Sequence, residues 1–321
     1  MESVGALVIP CYRDFDSVQC LIGKIVKFQG WDQSCDIWIV NDCPLVGTPL
    51  FEKRFIEQVA SCSWIGSVCV LELPRNLGQQ AAIAVGVSHC LSNSSKKYSW
   101  LAVMDADGED DPDALPILLD ALQGSGIVLA KRGKRTESKR FVLGYRAYQI
   151  IFWMGVGSWP DFGNFMVLTR PAAIEIFGDP DSWTHLASTV LKRIPSLKKV
   201  TVDRGRRFYG SSKMGWSRLI YLAITAISLH VEKIVARLAV VSASLWTLTL
   251  IAIAYLAVKK LFLGSPLGWA TILSIQLLSF ASLMTISFFI VVFTVSLSRS
   301  RRGLSPLEAQ GKYVMRVLRI V

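Results

Sequence analysis

The sequence predicts an α/β protein: a mostly parallel sheet with helices on both faces, followed by two membrane-spanning helices. Two observations carry that expectation. The first 130 residues alternate short apolar runs with segments whose apolar residues recur at helical spacing, the signature of repeated strand–helix units. Further on, Leu238 to Val258 and Leu261 to Leu297 contain no charged residue, and each is long enough for the roughly 20 helical residues that cross a bilayer core.

Taken in order, "GALVIP" (5–10), "DIWIV" (36–40), "VCVLEL" (68–73), "WLAVMD" (100–105) and "IVLAK" (127–131) read as buried strands. Between them, "FDSVQCLIGKIVKF", "LFEKRFIEQVA" and "QQAAIAVGVSHCL" read as helices. "GALVIPCY" is a strand rather than a leader, so no signal peptide is expected. The segment 158–209 is mixed. "IYLAITAISLHVEKIVAR" is too interrupted to span a membrane and suits an interfacial helix. In the second uncharged run, Gly264, Ser265 and Pro266 suit a turn, with the helix starting near Leu267. Two buried helices of a soluble protein would show a polar stripe over such lengths, and these show none. Lys233 and Arg237 precede the first run, and Arg299, Arg301 and Arg302 follow the second. The positive-inside tendency then puts both termini in the cytoplasm, with Lys259 and Lys260 in the connecting loop opposing it.

Composition narrows the function. With 35 Lys+Arg against 24 Asp+Glu, the net charge is 35 − 24 = +11, which calls for a polyanionic partner. No nucleic-acid motif accompanies the charge, so nucleic acid is not expected. Mean hydropathy is +0.41, high for a soluble chain. The seven cysteines all fall in the first 90 residues without a CxxC pair, which argues against zinc or a disulfide framework in a cytoplasmic domain.

"LAVMDADGEDDPD" (101–113) gathers six acidic residues behind an apolar strand. In parallel sheets ligands bind beyond the carboxyl ends of strands, which places this cluster with Pro10–Tyr12, Asn41–Asp42 and Arg75–Asn76 along one edge. Asp105 and Asp107 alternate on extended backbone and are suited to hold Mg2+ or Mn2+ jointly with substrate phosphates, Glu109 supplying a third oxygen. Asp110, Asp111 and Asp113 read as solvated or capping residues at a helix starting near Pro112. Pro112 and the short span do not fit a calcium EF-hand loop. "FYGSSKMG" offers glycines, hydroxyls and a lysine for a lid over anions. Arg206, Arg207 and Lys213 equally form a juxtamembrane basic patch for anionic lipid.

Four stretches, "VIPCYRD", "RNLGQQAAIAVG", "MDADGEDDP" and "RFYGSSKMGWSRL", resemble glycosyltransferase family 2, and within it the polyprenyl-phosphate glycosyltransferases of the GtrB and dolichol-phosphate mannose synthase type. The resemblance implies a GT-A type, Rossmann-like domain over 1–215, interfacial helices over 216–236, a two-helix transmembrane hairpin over 237–298 and a basic cytoplasmic tail over 299–321. It implies nucleotide contacts by Pro10, Tyr12, Asp14 and Asp42, and by Arg75, Asn76 and Gly78 of the "RNxG" turn. It further implies a metal site at Asp105, Asp107 and Glu109, where Glu109 replaces the usual Gln. Arg132, Arg206, Ser212 and Lys213 would contact phosphates, the last three around a mobile loop. The implied reaction moves a sugar, with inversion, from a nucleotide-sugar donor to a polyprenyl phosphate acceptor beside the lipid bilayer. A UDP-sugar is favoured as donor and GDP-mannose is the alternative. A homo-oligomer is compatible with this reading.

Two departures stand out. "NDCP" (41–44) replaces the family's "DDGS", and Asn164 stands where close relatives of GtrB carry an acid discussed as a base. Asp161, Asp181 and His185 are the available replacements. A phosphate acceptor, already largely dianionic at pH 7, needs no strong base. The departures also motivate a different reading, a membrane-anchored binding subunit with a degenerate transferase domain. A processive polysaccharide synthase is disfavoured, because the chain lacks Q-x-x-R-W and has only two spans.

Overall fold

The computed structural model describes residues 4–28, 33–43, 51–92, 97–133, 146, 149–150, 152–154, 156–157, 159, 162–194, 197–203, 205–209, 223–263, 268–300 and 303–321. The chain divides into two compact units, one formed by Met1–Ile150, Trp159–Leu229 and Gly303–Val321, the other by Ile151–Ser158 and His230–Arg302.

The first unit is built on an eight-stranded sheet. Its strands are β1 (Val4–Cys11), β2 (Ser34–Asn41), β3 (Ile65–Glu72), β4 (Trp100–Val103), β5 (Ile127–Arg132), β6 (Phe162–Thr169), β7 (Lys198–Val202) and β8 (Arg316–Arg319). The order across the sheet is β7-β5-β6-β4-β1-β2-β3-β8. The β1–β2, β1–β4, β2–β3 and β5–β7 pairs are parallel, while β6 and β8 run antiparallel to their neighbours. The mostly parallel sheet expected from the strand–helix alternation is therefore observed.

Helices α1 (Phe15–Ile25), α2 (Lys53–Ala60) and α4 (Ala114–Leu122) cover one face; α3 (Gln79–Ser92), α5 (Arg170–Phe177) and α6 (Leu186–Arg193) cover the other. The period-2 alternation of a strand divides each apolar run between the two cores. Leu7, Ile9, Ile37, Ile39 and Ala102 enter the first, whereas Ala6, Val8, Trp38, Val40 and Val103 enter the second. Burial on both faces is why these strands read as continuous apolar runs.

The last residues do not form a separate basic tail. After α9 (Pro306–Ala309), which is closed by a Ser305–Glu308 capping box, β8 pairs with β3. Without it β3 would present unpaired backbone groups at the sheet edge. Leu318, Ile320 and Val321 pack on the first core, and the Arg316 guanidinium bonds the carboxylate of Glu72, which is 2% exposed. Removing that guanidinium takes a charged partner from a buried carboxylate. Arg316→Ala is therefore expected to lower the melting temperature of the domain and to speed amide exchange at Val68, whose N–H donates to the Val321 carbonyl.

The second unit contains α7 (Val231–Leu263) and α8 (Trp269–Ser300). Val231–Phe262 and Ala270–Thr294 are long and apolar enough to cross a membrane, with mean hydropathies of 1.9 and 2.2. Several of their hydroxyls return to carbonyls four residues earlier, as Thr247 does to Ala243, Ser279 to Ile275, Ser287 to Leu283 and Thr294 to Ile290, whereas Ser242 Oγ and Thr249 Oγ1 are buried without a hydrogen-bond partner among the described residues. Polar atoms in an apolar helix are satisfied internally in this way. Trp246 Nε1 donates to Thr285 Oγ1 at 2.8 Å, joining the two helices. The stretch read as one interfacial helix is interrupted: residues 223–228 are helical, a turn follows at 229–230, and α7 begins at Val231.

Candidate functional site

The carboxyl ends of β1, β2 and β4 bring most of the motif residues to one edge. Pro10 is half-buried in β1, and Tyr12 beyond it is 49% exposed. Arg13 takes a left-handed backbone, φ 53°, a strained geometry for a non-glycine residue. Its guanidinium lies 5.4 Å from the centroid of the Tyr12 ring and donates to Cys43 Sγ. Asp14 sits at the N-cap of α1 and accepts from the Ser17 hydroxyl.

Asp42 is only 3% exposed. Its two oxygens accept the backbone N–H groups of Leu77 (2.6 Å) and Gly78 (2.8 Å). Burial pushes its pKa up, and the two amide bonds partly oppose this. Asp42, which the resemblance implies as a nucleoside contact, braces the "RNLG" turn. Asn76 Oδ1 also accepts from Gly78 N–H, and Gly78 adopts φ 85°, which only glycine takes freely. Arg75 and Asn76 remain exposed on the braced turn. Asp42→Ala removes an acceptor from each of two partly buried amides and is expected to cost about 1–2 kcal/mol, measured as a lower denaturation midpoint.

Beyond β4, Asp105 Oδ1 accepts from Gln79 Nε2 at the start of α3. Asp107 Oδ1 accepts the Glu109 N–H, closing a tight turn through Gly108 at φ 86°. The buried Asp110 turns back, its carboxylate accepting the Asp105 N–H. It is thus a brace of the turn rather than the solvated capping residue expected. Asp113 is the N-cap of α4 but makes no side-chain cap bond. The 205–208 segment is fastened to this turn by two backbone bonds, Gly205 N–H to the Glu109 carbonyl and Phe208 N–H to the Asp107 carbonyl. Phe208 lies beneath the Lys24 ammonium, 4.9 Å from the ring centroid.

That attachment decides which arginine reaches the acids. Arg207 Nη2 lies 2.7 Å from Asp107 Oδ2 and 3.5 Å from Glu109 Oε1, whereas Arg206 is exposed. Arg206 was the arginine expected at the phosphates; Arg207 is the one placed at the acidic turn. The signal lay in the motif "RFYGSSKMG", which itself starts at Arg207. Of the other expected phosphate contacts, Arg132 ends β5 but its side chain lies outside the described residues, as do Ser212 and Lys213; the candidate base Asp161 lies outside them too.

Among the described residues, no group of three His, Cys, Asp or Glu side chains converges to hold a metal ion by itself; the expectation for Asp105, Asp107 and Glu109 is a site that substrate phosphates complete. The donor set nevertheless suits Mg2+ or Mn2+: Asp107 and Glu109 already share one positive charge, the Arg207 guanidinium.

Asn164 and two of the alternative bases, Asp181 and His185, are committed to other partners. Asn164 Oδ1 accepts from Gln80 Nε2, and Gln80 Oε1 accepts the Leu186 N–H. Asp181 pairs with Lys192 at 2.5 Å. His185 caps α6, its Nδ1 accepting the Ser188 N–H, and burial lowers its pKa to about 4. With the folded pKa below the free value of about 6.5, the unfolded chain binds the extra proton between those two pH values. Stability is full above pH 6.5 and is lost as pH falls towards 4, by about 3 kcal/mol at most. Melting curves across that range should flatten in His185→Asn, which keeps a capping acceptor and does not titrate there.

Comparisons with known proteins follow from this geometry. The family model "Glycosyl transferase family 2" matches residues 6–171. A search of curated proteins returns no match. Among solved structures, the glucosyl-3-phosphoglycerate synthase of Mycobacterium tuberculosis, in complex with Mn2+, UDP-glucose and phosphoglyceric acid, is similar at 11% identity and TM-score 0.47, over 72% of this chain and 80% of that one. S. aureus TarS 1–349 is similar at 12% identity and TM-score 0.40, over 62% and 58%. The match of the family model over half of the sequence, on the strands and turns that form this edge, shows that the chain belongs to glycosyl transferase family 2.

Proposed function

We propose that this chain transfers a sugar, with inversion, from a nucleotide-sugar donor to the phosphate of a polyprenyl phosphate at the cytoplasmic face of a membrane. A UDP-sugar is the favoured donor and GDP-mannose the alternative. The observation that carries the proposal is the acidic turn 105–109 beyond β4, with a guanidinium fastened against it. Carboxylates able to hold a divalent cation, beside a guanidinium, suit the anionic diphosphate of a nucleotide.

Asp105, Asp107 and Glu109 would hold Mg2+ or Mn2+, which when bound neutralises the donor's diphosphate. The remaining work falls to the chain. The Asp42 brace sets the "RNLG" turn where the donor would lie. Arg207, with Lys213 and Ser212 from the loop after it, would take up the charge that grows on the leaving diphosphate. A lipid-phosphate oxygen bonds to the anomeric carbon as the bond to the diphosphate breaks, and the electron pair leaves with the nucleoside diphosphate. Asn164 cannot accept a proton, which favours an acceptor that is already ionised.

The membrane assignment is supported by α7 and α8. Leu248, Ile251, Phe289 and Phe293 on them are each at least 60% exposed, an apolar surface that a bilayer would cover. Gly303–Val321 belongs to the same compact unit as Met1–Ile150. A chain leaving that unit through α7 therefore has to return to it after α8, which two crossings allow and one does not.

The test is incubation of detergent-purified protein with labelled UDP-sugars or GDP-mannose and polyprenyl phosphate. Label in a lipid-linked monosaccharide, lost with EDTA, is the expected product. A long polymer would favour a synthase, and donor binding without transfer would favour a degenerate binding subunit.

A further inference from the structure

We propose that Arg207 is a built-in counter-cation: it occupies the acidic turn in the resting protein, and a divalent ion must displace it. The inference rests on the donor-site reading above and adds a competition to it. Asp107 Oδ2 and Glu109 Oε1 face the same guanidinium nitrogen at 2.7 and 3.5 Å. Three acids (Asp105, Asp107 and Glu109) stand within five residues of one another on a turn that is only partly solvated, and the guanidinium offsets part of their mutual repulsion. Gln79 performs a lesser version of the same task for Asp105 through its amide N–H.

The arrangement is set by backbone, not by the ion pair alone. Gly205 and Phe208 donate to the Glu109 and Asp107 carbonyls, so the Arg207 side chain can leave the acids while its own segment stays attached. A guanidinium released in this way remains beside the donor's phosphates. Displacement by the ion thus converts a resting ion pair into an anion-binding group, and couples metal entry to readiness for the donor.

The experiment is Mn2+ titration of the full-length protein in detergent, without nucleotide, followed by electron paramagnetic resonance. Arg207→Gln removes the competing charge and should bind Mn2+ about fivefold more tightly, the size of effect a partly exposed ion pair supports. Arg207→Lys keeps a charge and should stay within about twofold of wild type. The rise in melting temperature on adding Mn2+ should also be larger for Arg207→Gln, because tighter binding to the folded state stabilises it more. Unchanged or weaker Mn2+ binding by Arg207→Gln overturns the competition while leaving the donor site standing. Absence of Mn2+ binding in wild type and both variants overturns the donor-site reading and the competition with it.

Discussion

Replacing Asp107 by Asn is expected to lower sugar transfer by about 100- to 1000-fold, the range seen when one electrostatic contact to a reacting group is removed. Asp107 stands at the centre of the acidic turn. One oxygen accepts the Glu109 amide and the other pairs with Arg207. Asn keeps the shape and can still accept the Glu109 N–H, so the turn should persist and the melting temperature should move little. What disappears is a negative charge for the cation that would neutralise the donor's diphosphate. Steady-state kinetics beside a thermal melt separates the two effects. Activity within a few-fold of wild type in a well-folded Asp107→Asn protein would remove this residue from the site.

The second large effect is expected at Gly205. A Cβ built on it runs into the Gly108 carbonyl oxygen, a backbone atom that cannot rotate aside as a side chain would. Gly205→Ala must push the two strands of chain apart, breaking the Gly205–Glu109 bond and drawing Arg207 off the acids. The expected cost is about 2 kcal/mol or more, with transfer reduced at least tenfold because the arginine is carried away from the diphosphate. Gly108 reports the same packing from the other side, since its added Cβ meets the Phe208 ring at 2.7 Å and its φ is 86°. A Gly205→Ala protein with wild-type stability and activity would mean that the 205–208 segment is not held as described.

Much of this architecture is legible in the sequence because burial on both faces leaves a continuous apolar signal. β1 to β5 carry it, the helices between them show the spacing of one buried face, and α7 and α8 are legible by their long uncharged runs. The position of the acidic turn follows from the rule that ligand sites gather at the carboxyl ends of parallel strands. What escapes is whatever depends on distant pairing. β6 lies between β4 and β5 and runs antiparallel to both, yet nothing local in "FGNFMVLT" announces that insertion. β8 is short and flanked by arginines, so charge masks a strand whose partner is more than 240 residues away. Arg206 and Arg207 are equivalent by composition. Only the register of 205–208 on 107–109 separates them. Asp42 shows the same limit, because its bracing of the "RNLG" turn rests on amides more than 30 residues away.

The measurement that bears most directly on the central claim is calorimetric binding of UDP and GDP to the full-length protein, with and without Mn2+. Binding of one nucleoside diphosphate that requires Mn2+, is abolished by EDTA, and is lost in Asp105→Asn and Asp107→Asn is the predicted result. Equal affinity with and without the ion, or in the two variants, would contradict it.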